Sequence, residues 1–71
     1  MDQHADPRLN IIRSTWSTMR LTQKEAAAQL GISQPAFNQY LKGKIPLNTE
    51  IVLKFATLFN VPPSKIDSRL Y

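Results

Sequence analysis

Residues 29–44, QLGISQPAFNQYLKGK, set four polar side chains along what their spacing makes one short helix. Ser33 is of the type that caps a helix, and Pro35 is tolerated within the first turn, where a missing N–H breaks no hydrogen bond. From there Phe37, Tyr40 and Leu41 fall three and four apart and face inward. Gln34, Asn38, Gln39 and Lys42 are left toward solvent. The spacing predicts a helix over 33–42 with an amide-rich outer face.

Upstream, Thr22-Gln23-Lys24-Glu25 has the form of a capping box, in which hydroxyl and carboxylate each bond the other residue's backbone amide. A second helix therefore starts at Thr22, continues through Ala26, Ala27, Ala28 and Leu30, and ends at Gly31, where glycine accepts a left-handed conformation at low cost. Ile32 plugs the corner between the two helices. Before these, Asp6-Pro7 opens a first helix, on which Leu9, Ile12, Trp16 and Met19 form an apolar stripe, with Arg8, Arg13 and Arg20 elsewhere on the cylinder. Its place in the stripe makes Trp16 a core residue rather than a stacking platform for a base.

Downstream, Gly43 to Leu47 is a loop. Asn48-Thr49-Glu50 then opens a fourth, very apolar helix, IVLKFATLF, expected to be the central element. Asn60-Val61-Pro62-Pro63 stops it, and a short fifth helix is expected from Ser64 to Leu70, with Ile66 and Leu70 inward. The expectation is thus an all-α, five-helix domain over residues 7–71, preceded by a flexible tail, 1–6.

Seventy-one residues allow one domain with one small core. There is no cysteine for a disulfide, no Cys/His cluster for zinc and no apolar run long enough for a bilayer; the start, MDQHADPRLN, is unlike a secretory signal. A cytoplasmic location is expected. Catalysis has little to use: the single histidine, His4, sits in the tail, the carboxylates share no paired spacing, and Gly43-Lys44 lacks the rest of a phosphate loop. No catalytic residue, metal, cofactor or small-molecule ligand is expected.

Nine Lys plus Arg against five Asp plus Glu give a formal charge of +4, which favours polyanions. An α-helix enters the major groove of B-DNA, where an amide side chain makes a bidentate match to adenine, accepting from N6–H2 and donating to N7. Gln34, at the start of the third helix, is placed for that contact, and Gln39 for a second base edge. Lys42 and Lys44 suit phosphates, which supply affinity without sequence information.

Residues 21–48, LTQKEAAAQLGISQPAFNQYLKGKIPLN, resemble the helix-turn-helix of lambda-type phage repressors and Cro-like regulators, with the motif itself over about 22–42. Gln23 matches the glutamine at the first position of the motif and Ala27 the small residue at the helix contact. Gly31 matches the turn, and Ile32, Phe37 and Tyr40 the inward positions. A weaker likeness covers about residues 9–66. The resemblance implies that Gln23 binds a phosphate and braces Gln34, which reads adenine. It implies base contacts from Gln34, Gln39, Asn38 and Ser33, and phosphate contacts from Gln23, Thr22, Lys42, Lys44 and Asn48.

It further implies a homodimer on a near-palindromic operator in double-stranded DNA, with half-sites about 34 Å apart. Val61, Ile66, Leu70 and Tyr71 are the candidate dimer contacts, of which Ile66 and Leu70 are also candidates to close the core. Two departures stand out: Pro35 replaces a polar base contact and suits only a thymine methyl, and the tail MDQHAD lacks the basic residues of a DNA-wrapping arm. The function expected is a transcriptional repressor. Alternatives are an antitoxin or a restriction-system controller of the same fold and, in another class, a protein-interaction module; only the last would bind its partner with little dependence on salt.

Overall fold

The computed structural model describes residues 6–70. Among them are four α-helices, α1 (Pro7–Trp16), α2 (Gln23–Leu30), α3 (Gln34–Leu41) and α4 (Thr49–Phe59), followed by a 3-10 turn, Pro63–Lys65. The expected tail lies outside the described residues except for Asp6. None of these helices is long and apolar enough to cross a membrane.

Each helix begins where a side-chain oxygen takes up a free backbone amide. Asp6, Thr22, Ser33 and Asn48 accept from the amides of Arg8, Glu25, Ala36 and Ile51 respectively. At Thr22 the box is complete, because Glu25 Oε1 accepts from the Thr22 amide at 2.9 Å. Three helices end in one way: Gly31, Gly43 and Asn60 take positive φ of 74°, 78° and 59°. The residue after each then donates back across the last turn, Ile32 to Ala27, Lys44 to Gln39 and Val61 to Ala56. α1 stops differently, in a serine- and threonine-rich stretch where Ser17 and Thr18 hydroxyls bond the Ser14 and Thr15 carbonyls. Met19 therefore reaches the core from the following turn rather than from the helix.

α4 supplies six buried residues, Ile51, Val52, Phe55, Ala56, Leu58 and Phe59. α2 presents Ala26, Ala27 and Leu30, and α1 presents Leu9 and Ile12. α3 contributes a single fully buried side chain, Phe37, on which Trp16 sits edge-on at 5.0 Å between ring centroids. Phe37 continues into Phe55 at 5.8 Å and Phe55 into Phe59 at 5.7 Å, a row of rings through the centre of the domain. Trp16 is half-buried on this row, in the core position expected of it.

The expected helix over 64–70 is not formed. After the Pro63–Lys65 turn, Asp67 accepts from the Arg69 amide at 3.0 Å and from both ends of its guanidinium, an alternative to helical hydrogen bonds. Arg8 Nη1 reaches the same carboxylate at 3.5 Å, and its other nitrogens bond Asp6. An ionic clasp thus ties the start of α1 to the segment that follows the 3-10 turn. Ile66 is buried, with Val61 and Leu70 against the core, so the core takes up these three candidate dimer residues; Tyr71 lies outside the described residues.

Phe37→Ala removes the centre of the aromatic row and should cost about 3–5 kcal/mol. That is most of the stability of a domain this small, so urea denaturation followed by Trp16 fluorescence should show a largely unfolded chain. The clasp gives a pH dependence. Guanidinium and backbone bonds from Arg69 hold the Asp67 carboxyl at about 2, below its ordinary 3.8. A depressed carboxylate stabilises the fold above its unfolded value, and that stabilisation disappears as pH falls toward 2. Urea midpoints measured from about pH 5 down to pH 2 should fall, and Asp67→Asn should lower the midpoint at pH 5 and flatten the decline.

Candidate nucleic-acid interface

α3 is eight residues long, too short to persist alone in water. Its ends account for its persistence. At the C-terminus, the Asn38, Gln39 and Tyr40 carbonyls accept from the amides of Lys42, Lys44 and Gly43. The last carbonyl, Leu41, accepts from Arg13 Nε of α1, so all four terminal carbonyls are partnered. At the N-terminus Ser33 takes the Ala36 amide at 3.2 Å, and Pro35 has no N–H to satisfy.

The helix therefore turns a fixed face outward. Phe37 is buried and Ala36, Tyr40 and Leu41 are half-buried on one side, while Gln34, Pro35, Gln39 and Lys42 are exposed on the other. Gln34 and Gln39 make no side-chain hydrogen bond among the described residues, so both amides keep a donor and an acceptor for a ligand. Lys42 and Lys44 extend this face at the end of α3.

Other expected site residues have part of their chemistry committed. The Thr22 hydroxyl accepts from the Glu25 amide and donates to Glu25 Oε1 at 3.1 Å; these bonds from the Thr22 amide and hydroxyl also hold the Glu25 carboxyl below its usual range. Ser33 accepts through Oγ and keeps its O–H to donate. Asn48 spends Oδ1 on the Ile51 amide at 2.8 Å and keeps its NH2. Asn38 is half-buried, and its Nδ2 donates to Gln23 Oε1 at 3.3 Å, joining the start of α2 to the middle of α3. The brace implied between Gln23 and Gln34 is not present; Asn38, one turn further along α3, is the partner of Gln23.

The charges are unevenly used. Arg8, Arg69 and Lys54 are paired with Asp6, Asp67 and Glu50. Arg13, Arg20, Lys24, Lys42, Lys44 and Lys65 form no ion pair among the described residues, and four of these six, Arg13, Lys24, Lys42 and Lys44, sit on or against α2 and α3. Lys24 and Arg13 are additions to the residues expected from sequence. Lys24 is readable from its place at the start of α2, whereas the contact of Arg13 with Leu41 spans 28 residues and has no local signature.

Two capped helices meeting at a glycine corner, the second with an exposed amide face bordered by unpaired cations, define a helix-turn-helix DNA-binding domain. Residues 19–66 match the helix-turn-helix family HTH_3, and the chain belongs to this family of lambda-repressor- and Cro-like domains. Neither the curated proteins nor the solved structures gave a match.

The cap and the face can be separated experimentally. Ser33→Ala should lower the unfolding free energy by about 1 kcal/mol. Ser33→Asp should restore it, since Asp caps equally well, but should weaken duplex binding by setting a negative charge on the outer face. Urea denaturation and a duplex titration on the two variants read the two effects independently.

Proposed function

We propose that this domain is a sequence-specific transcriptional repressor that lays α3 in the major groove of a near-palindromic operator. The observation that supports this reading best is the pair of uncommitted amides, Gln34 and Gln39, on an α3 whose ends are satisfied. A side chain whose hydrogen-bonding groups are open, on a rigidly held helix, can enter a base contact without first breaking a bond within the protein.

In this reading Gln34 reads adenine through N6 and N7, and Gln39 meets a second base edge. Pro35 offers an apolar surface to a thymine methyl, and Ser33 donates through its hydroxyl. Lys42, Lys44, Lys24 and Arg13 face the sugar–phosphate backbone, with Gln23 and the Asn48 amide as neutral donors and Thr22 beside them. Two copies on half-sites about 34 Å apart read the two halves of the operator, and occupancy of promoter DNA by the pair blocks transcription.

Selection from a random duplex pool at moderate salt should return a near-palindrome with that spacing. On the selected duplex, Gln34→Ala should lose about 1–3 kcal/mol of discrimination at one base pair per half-site, while Lys44→Ala weakens all sequences alike and lowers the salt slope. Equal losses for Gln34→Ala on selected and scrambled duplexes would refute its role as a reader. A partner affinity insensitive to salt would favour a protein-interaction module instead.

A further inference from the structure

We infer that Asn38 is a positioning residue for the DNA backbone contact of Gln23 rather than a reader of bases, an inference that rests on the DNA-binding reading above. Of the polar side chains on the outer half of α3, Asn38 alone is half-buried, and its Nδ2 is directed at Gln23 Oε1. Gln23 is the first residue of α2, and it too is half-buried. The bond fixes a side chain that would otherwise sample many rotamers.

Fixing it also orients it. A primary amide is planar, with its oxygen and nitrogen on opposite sides, so a Gln23 carbonyl turned toward Asn38 directs the NH2 away from α3. That group is a pair of donors, suited to a phosphate oxygen. Because Asn38 holds the glutamine before DNA arrives, the ordering cost is met during folding rather than on binding. Gln34, exposed and with no side-chain hydrogen bond among the described residues, stays independent of this arrangement and free to read a base. The energetic partner of Gln23 is therefore Asn38, fifteen residues away, and not Gln34.

A double-mutant cycle tests this on a fluorescein-labelled, mixed-sequence duplex of about 20 base pairs, which spans two helical turns. Gln23→Ala and Asn38→Ala should each weaken binding by about 3- to 10-fold, and the double variant should be no weaker than the poorer single one. Combined with Gln34→Ala, the effect of Gln23→Ala should be undiminished. In the 15N spectrum of the unmodified protein the Gln23 side-chain NH2 signals should shift when duplex is added; in Asn38→Ala they should not, although Trp16 fluorescence reports a folded chain. Multiplying losses for Gln23 and Asn38, full affinity for Asn38→Ala, or Gln23 signals that ignore the duplex would each overturn the inference while leaving DNA binding intact. A wild-type chain that binds no duplex would overturn the DNA-binding reading itself, and this inference with it.

Discussion

The interface depends on the burial of Phe37. α3 has no other fully buried side chain, so its placement rests on one aromatic ring held between Trp16 and Phe55, with Ala36, Tyr40 and Leu41 closing around it. An anchor of this kind leaves most of the cylinder free for a ligand. It also explains why the neighbouring helix carries alanines: Ala26 and Ala27, almost fully buried, let the backbones of α2 and α3 approach closely enough for Gln23 to meet Asn38. The same small side chains would be a poor core on their own, and α4 supplies the apolar volume that they lack.

One buried ring cannot by itself keep eight residues helical. The remainder comes from ends whose polar groups are satisfied by other parts of the chain, including one carbonyl reached by Arg13 from α1. α1 is therefore a support for α3 as well as a wall of the core. The division of labour is chemically economical: oxygen atoms of Thr22, Ser33 and Asn48 hold helix starts, while the donors left on Ser33 and Asn48 remain open to solvent.

Much of what is encoded within one helical turn is legible in the sequence. The four caps follow from residue type and position, as do the left-handed stop at Gly31, the end of α4 at Asn60 and the central place of α4. The outer positions of Gln34, Gln39 and Lys42 follow from helical periodicity around Phe37, whereas Asn38, expected toward solvent with them, is half-buried against Gln23. Contacts between distant residues are not legible in this way. A stretch such as Ser64 to Leu70 has helical spacing, but Asp67 meets Arg8 across 59 residues and bonds Arg69 locally, and these bonds outweigh the spacing. Likewise no local rule distinguishes Asn38 from Gln34 as the partner of Gln23, because both are amides on α3 and the choice rests on how closely α2 lies against it.

The clasp of Asp6, Arg8 and Asp67 also bears on the order of folding. The contacts among α2, α3 and α4 join neighbouring parts of the chain, whereas the clasp closes a loop of nearly the whole domain, at an entropic cost that grows with loop length. A bond of this kind is expected to form late, after the elements that carry its partners have docked, and so to contribute little to the folding transition state. Its free energy is then expected in the barrier to opening: weakening the clasp should speed escape from the native state and leave the rate of reaching it nearly unchanged, so the contact between Arg8 and Asp67 acts as a brake on unfolding.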